Sequence, residues 1–184
     1  MAPDRDLDDL EPLEGDEGEL EVGRHRDVGR ACLQTPIAQV RRADAVTVPP
    51  DAPVARAVDL MRKRKASAVL VVDRTRARRL LGIFTERDLV ERALPARGWA
   101  RARVDRFMTR APEALRARDS VAYGVNKMSV GGFRHVPIVD DAGRPAGILS
   151  ARDVLDFVVE LCPEELLNLP PEPELEVHPR AEGD

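Results

Sequence analysis

The chain has 184 residues, 43% apolar but only 3% aromatic, enough for one ordinary domain or two small repeats built on Val, Leu, Ala and Ile. Its two cysteines, Cys32 and Cys162, form no CxxC or Cys/His cluster, which argues against a zinc site and a disulfide framework and for a reducing, cytoplasmic setting. No apolar run reaches the roughly 18 residues of a membrane span, the acidic N-terminus lacks a secretory-signal pattern, and no membrane association is expected.

The net charge of -4 hides a segregation. Residues 1–30 carry 4 basic and 11 acidic side chains and residues 160–184 carry 1 and 8, which leaves 24 basic and 14 acidic residues between them. A basic centre is flanked by acidic ends.

Residues 1–34, rich in Asp, Glu and Gly, lack the apolar surface to offset the entropy of ordering and are read as an acidic flexible arm. Thr35-Pro36 supplies an N-cap and a proline for the first helical position, which predicts a short helix Ile37 to Arg42 before a strand Ala45 to Val48. Pro49-Pro50 stops that strand. A helix from Pro53 to Lys65 follows, with Val54, Ala57, Val58 and Met61 on one face. Ala68 to Val72 reads as a buried strand, residues 73–79 as a basic loop, and Leu80 to Phe84 as the next strand. Glu86 to Leu94 is a predicted helix that turns Leu89 and Val90 inward, and Pro95 to Trp99 is a connector.

The order then repeats. Val104 under Ile37 sets an offset of 67 residues that holds through Asp140 under Asp73, so that Val54, Val58 and Met61 meet Val121, Val125 and Met128. After a turn two residues shorter, the offset becomes 65, with Asp153 under Asp88. His135 to Val139 and Ala146 to Leu149 are strands joined by the turn residues Asp140 to Gly143, a hairpin followed at once by Ser150 as helix N-cap and Asp153 in the first turn. Cys162-Pro163 ends the last helix, and residues 161–184 form a Pro/Glu-rich tail in which Glu164 to Leu169 adds a helical turn.

Two segments carry the candidate chemistry. Gly82-Ile83-Phe84-Thr85-Glu86-Arg87-Asp88 matches Gly147-Ile148-Leu149-Ser150-Ala151-Arg152-Asp153 in glycine, isoleucine, hydroxyl, arginine and aspartate. The bland reading is helix capping. The functional one is a nucleotide site, in which a helix N-terminus faces phosphate and the Asp accepts from two ribose hydroxyls.

The β-α-β-β-α order with a glycine-apolar-x-Thr/Ser-x-x-Asp ending in each copy resembles the cystathionine-β-synthase (CBS) domain, and the tandem copies resemble a Bateman module over about residues 35–160. Phe107-Met108-Thr109 and Arg134-His135-Val136-Pro137-Ile138-Val139-Asp140 strengthen the match in the second copy. The first copy departs from it with Arg41-Arg42 and Leu70. The resemblance implies an α/β fold of two repeats, 35–98 and 99–160, packed about a pseudo-twofold axis. It also implies two clefts for AMP, ADP, ATP or S-adenosylmethionine as regulatory ligand, with no required cofactor. Cleft A would combine Thr47, Ala52, Ala66, Ser67 and Ala68 with Ser150, Arg152 and Asp153. Cleft B would combine Ala114, Asp119, Phe133, Arg134 and His135 with Thr85, Arg87 and Asp88. Cleft A is expected to be the better adenosine site, because Ala114 replaces the Thr47 hydroxyl in B.

His135 reads equally as a core histidine bonded to backbone or as a cleft residue, with no catalytic role. No P-loop lysine, metal-ligand spacing or nucleophile with a matched base is present, so a ligand sensor acting on an unidentified protein partner, not an enzyme, is expected. Family modules pair into discs, which makes a homodimer the expected assembly. The alternatives are a structural dimer with vestigial clefts, or nucleic-acid binding through runs such as Arg62-Lys63-Arg64-Lys65. The second lacks aromatic side chains for base stacking.

Overall fold

β-Branched and apolar side chains bring the first strands together. The computed structural model describes residues 34–40, 42, 44–75 and 77–161; nearly all of the acidic arm and the tail, both cysteines and the Glu164 to Leu169 turn lie outside them. Strand β1 (Thr47–Val48) runs parallel to the wholly buried β2 (Ala68–Val72), with helix α1 (Val54–Arg64) as the crossover. The α1 face carrying Val54, Ala57 and Met61 is buried as its spacing predicts, and Pro53 stands at the N-cap. β2 pairs antiparallel with β3 (Leu80–Thr85), which leads into α2 (Glu86–Asp88). In the second copy, α3 (Val121–Gly131) precedes the antiparallel pair β5 (His135–Val139) and β6 (Pro145–Ser150), and α4 (Ala151–Leu161) follows. Leu115 forms a parallel bridge to Ile138 where β1 stands in the first copy. Both hairpins share one register, Ala68 opposite Thr85 and His135 opposite Ser150.

Three expectations need correction, and one further strand joins the sheet. Ile37 to Arg42 is a single 3-10 turn, Ile37–Gln39, with Pro36 at the N-cap, because the Thr35 carbonyl is taken by the Val121 N–H at 2.8 Å and Pro36 bridges to Ser120. The strand starting at Ala45 is confined to Thr47–Val48. The helix after Asp88 winds as a π-turn over Leu89–Ala93, closed by the Leu94 N–H on the Leu89 carbonyl at 2.9 Å. The wider turn rotates Ala93 into the core and leaves Val90 exposed. A further strand, β4 (Thr109–Arg110), pairs antiparallel with β3 and completes a sheet of order β1-β2-β3-β4.

The two cores are crossed. Val48, Val54, Met61, Val69, Val71 and Phe84 pack with Val104, Phe107 and Met108 from the segment that opens the second copy. Leu115, Val121, Met128, Val136, Ile138 and Leu149 pack with Ile37 and Val40 from the segment that opens the first. Backbone bonds pin each crossing, Ile37 N–H to the Asp119 carbonyl and Val104 N–H to the Ala52 carbonyl, both at 2.8 Å. A third cluster, Ala68, Leu70, Ile83 and Ile148, closes the sheet faces on one another. No helix among the described residues is long and apolar enough to cross a membrane.

Candidate functional site

Each hairpin delivers a hydroxyl and a carboxylate to the start of a helix. Thr85 is the N-cap of α2: its hydroxyl accepts from the Asp88 N–H, and Asp88 Oδ2 accepts from the Thr85 N–H at 2.9 Å, a capping box. The second copy reproduces it, Asp153 Oδ2 accepting from the Ser150 N–H and Oγ at 2.7 Å each. Capping geometry is therefore present in both motifs, and it fixes each carboxylate at the mouth of a cleft.

Around Asp88 the two repeats enclose a cavity of about 310 Å³. Thr85, Arg87 and Asp88 form one wall and Phe133, Arg134 and His135 the other, which brings together six of the eight residues expected in cleft B. Arg87 spans the repeats by donating to the Gly132 carbonyl at 3.1 Å. Ala114 and Asp119 do not line this cavity. Asp119 is held away from it, since its carboxylate accepts from the Arg116 N–H at 2.7 Å and its carbonyl from Ile37. Burial and the neighbouring Arg134 guanidinium lower the His135 pKa from its ordinary 6.5, against the opposing pull of Glu86 and Asp153. The imidazole is thus neutral at pH 7 and can offer one donor and one acceptor.

The residues of cleft A are distributed differently. Ala52 is 4% exposed and belongs to the first core, and Ala68 lies between the sheets. The Thr47 hydroxyl accepts from Arg78 at 2.9 Å, and the Ser67 carbonyl accepts from the Glu86 N–H. The Ala66 N–H is bonded to the Met61 carbonyl, and Arg152 pairs with Asp156 along α4. Asp153 lines an open recess with Arg42, Asp44, Asp156 and Glu160, an acidic surround.

Sequence reasoning missed Arg92, Thr109, Glu113 and Gly131, all of which line the cavity at cleft B. Arg92 was detectable as a break in the repeat, since Phe157 stands at the equivalent position. Thr109 and Glu113 reach the cavity through the β4 pairing, which no local pattern announces. Among the described residues, no three His, Cys, Asp or Glu side chains are gathered to hold a metal ion.

Comparison with known proteins places this geometry in a family. The CBS domain profile matches residues 37–94 and 104–160. An uncharacterized 17.7 kDa protein of Acidianus ambivalens is 29% identical over 70% of the chain and 76% of its own length. Inosine-5′-monophosphate dehydrogenase of Aquifex aeolicus is 36% identical over 60% of the chain, a match that spans only 22% of that enzyme. Among solved structures, a CBS-domain containing protein from Agrobacterium tumefaciens is 33% identical, with a TM-score of 0.60 over 68% of this chain and 95% of the other. A CBS domain protein from Pyrobaculum aerophilum complexed with AMP has a TM-score of 0.62 at 22% identity over 70% of this chain and 99% of that one. A CBS domain pair in complex with 5′-methylthioadenosine and S-adenosyl-L-methionine has a TM-score of 0.62 at 23% identity over 68% and 97%.

Proposed function

The chain belongs to the CBS-domain family, with two CBS domains in tandem, and from that premise we propose that it is a regulatory module that binds an adenosine-type ligand between its repeats. The observation that carries the reading is the cavity of about 310 Å³ in which Thr85 and Asp88 of one repeat face Phe133 and His135 of the other. That volume lies at the lower end of the roughly 300–1,000 Å³ of small-molecule sites. Phe133 offers an aromatic face for a base, His135 a neutral donor and acceptor, Asp88 a carboxylate for ribose hydroxyls, and Arg87 and Arg134 cations for phosphate. The residue pattern alone favoured cleft A; the geometry favours B, because Ala52 and Ala68 of A are spent in packing. The relatives solved with AMP and with S-adenosyl-L-methionine contribute the fold, and the lining of the cavity contributes the ligand class.

Such a module acts by regulating a partner: a ligand whose contacts differ between two arrangements of the repeats shifts their balance by that difference in affinity. The exposed Tyr123 and Val130 of α3 and Leu155 of α4 are the face on which a second copy packs in this reading. Calorimetric titration with AMP, ADP, ATP and S-adenosylmethionine tests it. At least one should bind, and Asp88→Ala should weaken that ligand about tenfold or more, the value of a charge-assisted hydrogen bond. Binding by none of the four would overturn the assignment.

A further inference from the structure

The two repeats part company one helical turn after the aspartate. In the 65-residue offset that sets Asp88 under Asp153, Arg92 stands under Phe157. Asp88 is 5% exposed, and both of its carboxylate oxygens are occupied. Oδ2 accepts from the Thr85 N–H and hydroxyl at 2.9 Å each, and Oδ1 accepts at 3.1 Å from Arg92 Nη1, which also donates to the Phe107 carbonyl at 3.3 Å. Asp153 spends Oδ2 in the same way on Ser150, but Phe157 is buried in the second core and offers no donor to Oδ1. The difference extends to the backbone. Repeat 1 follows its aspartate with the π-turn Leu89–Ala93, whereas α4 runs on as an α-helix to Leu161. Single π-turns inside helices are frequent at functional sites. The Arg92 side chain is 52% exposed and lines the cavity together with Asp88, so a guanidinium that leaves Asp88 and the Phe107 carbonyl has room to move and a place to go.

Oδ2 already accepts twice, so two ribose hydroxyls donating to Asp88 must share Oδ1, and the second of them needs the lone pair that Arg92 holds. Separating a charge pair without replacing its contacts is costly when one member is buried. An unphosphorylated nucleoside replaces the donor to Asp88 and gives Arg92 nothing. A nucleoside phosphate replaces both, and Arg–phosphate contacts are among the strong charge-assisted ones.

Resting on the reading of cleft B as an adenosine-ligand site, we propose that Arg92 determines its specificity. The guanidinium exchanges Asp88 Oδ1 for the ligand's phosphate, so the cleft accepts phosphorylated nucleosides and discriminates against the bare nucleoside. Arg134, on the opposite wall, adds to phosphate attraction but does not occupy the aspartate. The two arginines are therefore separable. Removing Arg134 should weaken the phosphorylated ligand alone. Removing Arg92 should weaken that ligand and leave the nucleoside unchanged or tighter, because the aspartate is freed.

The test is calorimetric titration of AMP and adenosine into the full-length chain carrying Asp153→Ala to silence cleft A, with Asp153→Asn as a second background that keeps a cap acceptor. With Arg92 intact, AMP should bind about tenfold or more tighter than adenosine; Arg92→Ala should remove most of that preference, leaving the share that Arg134 supplies, and Arg92→Lys should retain most of it. An equal loss of both ligands in Arg92→Ala, or an unchanged AMP-to-adenosine ratio, overturns the proposal. Equal binding of AMP and adenosine with Arg92 intact overturns the role of Arg92 while leaving the adenosine site standing. Failure of both ligands to bind the wild-type chain overturns this inference, and failure of ADP, ATP and S-adenosylmethionine as well removes the adenosine reading with it.

Discussion

At the scale of single residues, His135 is the side chain whose charge the fold controls most visibly. Its folded-state pKa lies below the ordinary 6.5, first through burial and then through Arg134. The sign follows from linkage: above 6.5 both states hold a neutral ring, and as pH falls below it the unfolded chain takes up the proton first. Stability is therefore intact above 6.5, declines below it, and stops declining at the folded-state pKa. Urea midpoints between about pH 7.5 and about pH 5.5 should fall more in the wild type than in His135→Asn; identical falls would refute the assignment. The motif residues Thr85, Asp88, Ser150 and Asp153 were legible in the sequence because their geometry is local, a hydroxyl and a carboxylate three positions apart at a helix start. Arg92 shows in the sequence only as a break in the repeat, and its role does not, since that depends on which carboxylate oxygen the cap leaves over.

At the scale of elements, the repeat exposes where the first copy is the less relaxed of the two. Lys65 ends α1 with φ 50°, in the left-handed region, at the position where Gly132 ends α3 with φ 65°. A left-handed lysine costs about 1.5 kcal/mol, its charge near the helix C-terminus returns about 0.3 kcal/mol, and glycine's added freedom in the unfolded chain takes back about 0.7 kcal/mol. Lys65→Gly should accordingly stabilise the protein by about 0.5 kcal/mol after the added freedom of the unfolded chain is counted. Chemical denaturation checks this, and a loss of stability would contradict it. Strands β2, β3, β5 and β6 could be read from β-branched runs separated by turn residues. The π-turn after Asp88 could not, because an apolar pattern of five residues fits either winding, and the short turn at Ile37 was misjudged because its backbone donors are spent on Asp119 and Ala117.

At the scale of the whole molecule, the offset of 67 residues made the doubled architecture legible, but not the crossing of its cores. Ile37 with Val40, and Val104 with Phe107, announce that they are to be buried without saying in which repeat. The crossing matters for function, because each repeat is completed by a segment of the other and the cleft between them is framed by a shared core. The central claim is that an adenosine-type ligand sits in that cleft, touching both repeats at once. Amide hydrogen exchange, with and without the tightest binder among AMP, ADP, ATP and S-adenosylmethionine at saturation, tests it most directly. Exchange should slow together in the segment from Thr85 to Arg92 and in the segment from Gly131 to His135. Slowing confined to one repeat, or absent from both segments, would contradict the account.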